Sequence, residues 1–269
     1  LVSFPEQIVF AAPHPTPYDL NFRLFGFSVR IHPLFWLGAV LLGGSTLQAG
    51  IEYLAIWVVV VFVSILVHEL GHSIAYKVFG AQSSIILWVL GGLAVPYTGI
   101  AGRWQRIIVS LAGPLAGFLL AGAAYAILRF ADPALRGGPL VGTLFLFLYF
   151  VNLYWNIINL LPVYPLDGGQ VCKELCDAKW RGPGFAVALK ISMVTAIFVA
   201  AYSVLCEIER RSGEGPILRH LPGWVPQGSI YTAILFGFLA AGSYQMLQQL
   251  RGAGGYYYEA PDDRVSWEK

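Results

Sequence analysis

Long uncharged apolar runs, rather than apolar–polar alternation, set the pattern of this chain. A helix that crosses a bilayer needs about 20 mostly apolar residues. Runs of that kind predict six spans, at roughly 33–47, 53–78, 107–128, 140–161, 185–206 and 229–250. Between the second and third, residues 83–97 are rich in strand formers and interrupted by Gly91-Gly92. They predict a hairpin or strand pair dipping into the membrane against the helices. Phe25-Gly-Phe-Ser-Val-Arg-Ile31 alternates well enough for one short strand. Pro5, Pro13, Pro15 and Pro17 forbid a long helix in the first 30 residues. A proline-punctuated turn over 161–169 leads into a short polar helix, and a loop over 207–228 carries Pro216, Pro222 and Pro226. The expected fold class is an all-α polytopic membrane protein with about six transmembrane helices and a small membrane-associated β element.

Composition narrows the class further. Of 269 residues, 57% are hydrophobic and only 12% charged, with a mean hydropathy of +0.65. Soluble domains carry about 25% charged residues, so this chain cannot cover its own surface with polar groups. A net charge of +2, thinly spread, predicts no nucleic-acid partner. Cys172, Cys176 and Cys206 give no disulfide framework. Cys172 and Cys176 stand at i, i+4 and could share a metal, but no further Cys or His lies nearby. No basic segment followed by a cleavage site opens the chain, so no signal peptide is expected.

Orientation follows from Lys and Arg. With six spans, both termini share a side with the loops after spans two and four. That side holds Arg23, Arg30, Lys77, Arg103, Arg106, Lys173, Lys179, Arg181, Arg251, Arg264 and Lys269, against Arg129, Arg136, Arg210, Arg211 and Arg219 opposite. The expectation is an integral, multi-pass protein of a bacterial-type inner or plasma membrane, with cytoplasmic termini.

The chemistry concentrates in the second span. In His68-Glu69-Leu70-Gly71-His72, two imidazoles four residues apart project from one helix face and can bind one cation. Glu69 lies between them, placed to act as general base without being a ligand. Zinc with three protein ligands keeps an open position and brings its water to a pKa near 7. An ionisable group at mid-membrane costs about 2.5–3.5 kcal/mol on insertion scales, so three together call for a function. A third ligand is needed, and His14, His32 and His220 lie in loops or at span boundaries. Asp167 ends an uncharged stretch beginning at Leu140, and spans two and four would end on the same side. Its other role would be to cap a helix beginning near Gln170.

These motifs resemble the site-2 protease family of intramembrane zinc metalloproteases. The likeness rests on His68-Glu69-Leu70-Gly71-His72, on Asn159-Leu-Leu-Pro162…Pro165-Leu-Asp167-Gly-Gly169 and on Gly91-Gly92-Leu-Ala. Ala112-Gly-Pro-Leu-Ala-Gly117 and Phe25-Gly…His32-Pro extend it over most of residues 25–180. The resemblance implies a three-helix catalytic core in spans two to four, with one zinc ion on His68, His72 and Asp167 and Glu69 as base. It also implies hydrolysis of peptide bonds in or near transmembrane segments of membrane proteins. Asn159 matches a family position that helps hold substrate or the developing oxyanion; an amide there could equally bond to another helix. Gly91 and Gly92 would let an unwound substrate add as a strand to the 83–97 segment, and the alternative is a re-entrant loop packed over the metal. Spans five and six match no motif and are expected to be variable gates.

The implied domain plan is 1–30 as an N-terminal cytoplasmic segment, 31–180 as the catalytic membrane core, 181–250 as a gate and 251–269 as a tail. The 129–139 loop is too short for an inserted peptide-binding domain and the tail too short for a nucleotide-sensing one, so regulation would come from the membrane core or a membrane partner. Three other functions remain in view. A prenyl-protein-processing zincin would use a downstream Glu as ligand. A transporter would show symmetry between halves, and none is apparent. A silent site-2-protease-like scaffold would keep the fold without the activity.

Overall fold

A computed structural model describes residues 13–89, 91–131, 138–180, 182–213 and 227–252. Expectations for residues 1–12 and the 253–269 tail, most of the 207–228 loop, and His220, Arg136 and Arg219 fall outside them. The chain divides into two compact units, residues 1–158 and 159–269.

The first unit begins with a four-stranded sheet. Strands β1 (Leu20–Leu24), β2 (Phe27–Ile31), β3 (Ser83–Trp88) and β4 (Gly91–Pro96) lie in the order β1-β2-β3-β4. Pairs β1/β2 and β3/β4 are antiparallel hairpins, and β2/β3 is parallel. The predicted strand and strand pair are therefore present. β1 was not foreseen, because its side chains are almost all exposed and leave no one-sided pattern.

Between β2 and β3 run helix α1 (Pro33–Leu42), a 3₁₀ turn (Gly44–Gln48) and helix α2 (Ile51–Val78). The expected first span is thereby corrected. Ten residues of helix reach only ~15 Å, half a hydrocarbon core, because Gly43-Gly44 stop α1. His32 caps it, its Nδ1 accepting from the Leu34 amide at 3.2 Å. The α2 run is aliphatic, with Glu52 in its first turn and Lys77 in its last, both favourable to the helix dipole. One face of β2 and β3 (Phe27, Val29, Ile31, Ile85, Leu87) packs with Phe35 and Ala39 of α1 and with Val61, Ile65, Leu66 and Leu70 of α2. This core fixes α2 against the sheet and thereby positions His68, Glu69 and His72.

Helix α3 (Arg103–Phe130) packs along α2, and α4 (Pro139–Asn159) carries Asn152 and Asn156 as its buried residues. α4 stops at Asn159, two residues earlier than expected, ahead of Pro162. The second unit holds α5 (Asp167–Lys179), α6 (Gly184–Ser212) and α7 (Ile230–Gly252), with α6 and α7 packed as a pair. Among the described residues, α2, α3, α4, α6 and α7 are long and apolar enough to cross a membrane. The described residues are thus mostly helical, with these five candidate spans, one short apolar helix and one small sheet.

Candidate metal centre

The two histidines of α2 are oriented from outside the motif. His68 Nδ1 lies 2.9 Å from Asn156 Oδ1, and His72 Nδ1 lies 2.7 Å from the Val109 carbonyl. A carbonyl only accepts, so His72 carries its proton on Nδ1. Asn156 donates through Nδ2 to the Asn152 carbonyl, which leaves Oδ1 facing His68 and puts that proton on Nδ1 too. Both Nε2 atoms therefore present lone pairs, and they face each other 3.1 Å apart. Two lone pairs at that distance repel unless a cation stands beside both. The pair suits a shared metal, and the residues fit zinc on this ground.

α3 is shaped for this arrangement. A Cβ at Gly113 would collide with the His72 ring, and one at Gly117 with the Asn156 amide. Pro114 has no amide to donate to the Ser110 carbonyl, so α3 lacks one backbone bond next to the Val109 carbonyl that meets His72. Gly113 and Gly117 of the Ala112-Gly-Pro-Leu-Ala-Gly117 motif thus clear room for His72 and Asn156. Asn152 extends the polar file, with Nδ2 2.8 Å from Ser64 Oγ.

Glu69 is buried beside the histidines. A Cβ at Gly92 of β4 would collide with its side chain, so strand and carboxylate approach without an intervening side chain. Gly91 has φ 131° and sits under the Trp155 ring, 3.1 Å from where a Cβ would stand. Trp155 thus packs on the core, while Trp104 at the start of α3 is exposed.

Asp167 is the first residue of α5, after an N-cap at Leu166, so it is not the cap and the helix begins three residues before Gln170. His68, His72 and Asp167 offer two imidazoles and a carboxylate, a donor set that suits one zinc ion. Asn159 closes α4. The motif pointed to that residue, whereas it is Asn156, three residues earlier, that meets His68. Cys172 and Cys176 stand with Sγ atoms 3.9 Å apart, and burial, aided by Cys172, pushes the Cys176 thiol up to about 11. A thiol so held stays protonated and is a poor metal ligand.

The sequence profile of peptidase family M50 matches residues 56–136 and 132–203, more than half of the chain. The chain belongs to peptidase family M50, the site-2 protease family. It is 30% identical over 176 residues to the zinc metalloprotease MJ0392 of Methanocaldococcus jannaschii, covering 64% of this chain and 48% of that protein. With Rip3 of Mycobacterium tuberculosis it shares 28% identity over 198 residues, 66% of this chain and 48% of that one. The chain spans about half the length of the curated relatives it matches. A solved structure of the site-2 protease from Methanocaldococcus jannaschii superposes with a TM-score of 0.53 at 23% identity, over 85% of this chain and 94% of that one. The M50 fold is therefore shared, with the α2 histidine motif inside the matched residues.

Proposed function

We propose that this chain is an intramembrane zinc metalloprotease that hydrolyses peptide bonds in or near the transmembrane segments of other membrane proteins. His68, His72 and Asp167 hold one zinc ion, and Glu69 is the general base. The observation that carries this is the convergence of two histidine lone pairs, each with its far nitrogen donating to an oxygen, beside a buried carboxylate. When bound, zinc supplies Lewis acidity and brings the deprotonation of water into the neutral range. Glu69 accepts the proton of the attacking water and returns it to the leaving amine. Its burial beside the metal ligands keeps that proton from bulk solvent.

Substrate handling is part of the same proposal. A transmembrane helix hides its peptide bonds, so the segment to be cut unwinds and needs backbone partners. β4 pairs with β3 alone among the described strands and offers its other edge, with Gly92 against Glu69 and Gly91 against Trp155. An extended segment added there lies along the base. Asn159 is assigned to hold the substrate carbonyl or the developing oxyanion. A bacterial-type inner or plasma membrane and a regulatory membrane partner complete the reading; the expectation that both termini are cytoplasmic required six spans, and five crossings put them on opposite sides. The short connection between α3 and α4 leaves no room for an inserted regulatory domain.

The test compares the parent with Glu69→Gln in detergent or nanodiscs, reading zinc content and cleavage of a tagged single-span substrate. The expected result is equal zinc and a fall in cleavage of about 10²–10⁴-fold. Zinc bound without any cleavage in the parent would point to a silent scaffold instead. No zinc in either protein would defeat the assignment.

A further inference from the structure

The loop that delivers Asp167 is held from α6 and α7, the helices that carry no recognisable motif. Its backbone is closed tightly upon itself, with the Val163 amide donating to the Leu161 carbonyl at 2.7 Å and the Leu166 amide to the Val163 carbonyl at 2.8 Å. Gly168 and Gly169 let the first turn of α5 lie directly on it, since a Cβ at either would meet the backbone of residues 160–164. Such a loop moves as one piece, and Asp167 moves with it.

Two contacts fix that piece to α6. The Tyr164 amide donates to Ser192 Oγ at 2.9 Å, and the Tyr164 ring meets Phe185 edge-on with centroids 5.4 Å apart. Phe185 and Ser192 are seven residues apart, two helical turns, and so share a face of α6. Ser192 is in turn 2.7 Å from Ser243 Oγ on α7, and both serines are buried. In hydrocarbon, a backbone amide that loses its acceptor has no water to turn to. The serine pair is therefore a specific anchor for the loop and not an incidental polar contact.

We propose that Ser192, backed by Ser243, is a positioning residue for the metal centre, holding the 160–166 loop so that the Asp167 carboxylate is presented in register for the ion. The gate helices are then also an arm of the metal site. This rests on the assignment of Asp167 as a ligand, and the experiment separates the two.

Zinc affinity is measured on the full chain in nanodiscs by chelator competition, alongside thermal unfolding of the metal-free protein. Ser192→Ala weakens zinc binding about tenfold, the scale of losing a group that orients a ligand, while Ser192→Thr, which keeps the hydroxyl, binds near the parent value. Ser243→Ala has a smaller effect, about threefold, the size of one hydrogen bond. In the Asp167→Asn background, which retains both histidines, Ser192→Ala has no further effect, because the residue it positions is already altered. If Ser192→Ala does not fold, Ser192→Cys, of similar volume and weak as an acceptor, is read in the same way. Parent-like zinc binding in Ser192→Ala, or an equal loss with and without Asp167, overturns the proposal. Parent-like binding in Asp167→Asn alone overturns the ligand assignment beneath it.

Discussion

Asn156 Oδ1 accepts the Nδ1 proton of His68 across 2.9 Å, and so decides which nitrogen of that ring is offered to a metal. The amide is itself locked, because its Nδ2 donates to the Asn152 carbonyl one turn back along α4. The contact joins two spans at the metal site with a bond that has no competition from water. Asn156→Leu removes the orienting acceptor and should weaken zinc binding by about 10–100-fold. Asn152→Leu, which leaves the His68 bond in place, should cost less. Chelator competition checks both, and an Asn156→Leu protein that binds zinc within about twofold of the parent would show that the ring is oriented some other way.

The glycines around the centre separate metal binding from catalysis. Gly113 faces the His72 ring, whereas Gly92 faces the Glu69 side chain. Gly113→Ala should therefore strip or weaken the metal. Gly92→Ala should leave zinc bound and lower cleavage, because it displaces the base alone. Zinc content and turnover on the same preparations decide it, and the opposite assignment of effects would mean that these close approaches do not govern the site.

Much of this was legible from the sequence, and the limits are physical. The α2 motif announced itself because His, Glu and His interrupt a run with no other charge, where burial makes them costly. β2, β3 and β4 were visible as strand-forming segments, with Gly91-Gly92 marking the hairpin. β1 was hidden because nearly all its side chains face outward. Apolar composition persists through residue 47 and so predicts a span, while the helix stop at Gly43-Gly44 depends on backbone behaviour that composition does not record. Asn156 carries no signal that sets it apart from Asn152 and Asn159, because three asparagines on one helix look alike until α2 and α3 fix which one meets a histidine. The Ser192–Ser243 contact joins residues 51 apart, with no local signal at either.

The β1–β2 hairpin should respond to acid. The Asp19 carboxyl is held below its ordinary range, first by the Thr16 hydroxyl at 2.6 Å, opposed by burial, and then by the Thr16 amide and the Arg30 guanidinium at 3.1 Å. A carboxyl depressed in the folded chain adds stability above its unfolded pKa of about 3.9. That stability is lost as pH falls through the folded value. Hydrogen-exchange protection of the β1–β2 amides, corrected for intrinsic rates, should stay level from pH 7 to about 5 and decline below about 4. Asp19→Asn should remove that decline; a decline of the same size in both proteins would show that another group titrates.

The open edge of β4 gives the sharpest test of how substrate is held. The Tyr97 amide donates to the Gln82 carbonyl at 2.8 Å, so the antiparallel register makes 97, 95, 93 and 91 the residues that bond to β3. Gly92, Ala94 and Pro96 then direct their backbone groups outward. Pro96 has no amide to offer, which blunts one end of the edge against unwanted pairing and leaves the Gly92 and Ala94 amides as its outward donors. Ala94→Pro removes one outward donor without touching the β3 ladder. If substrate adds to this edge, KM for a transmembrane substrate should rise by about 2- to 12-fold, the worth of one backbone hydrogen bond. Zinc affinity and unfolding temperature should not change. Leu93→Pro, which breaks the ladder itself, should instead destabilise the hairpin and reduce turnover as well. An Ala94→Pro protein with parent kinetics would mean that the extended segment is held elsewhere, and that Gly91 and Gly92 serve only to seat β4 against Glu69 and Trp155.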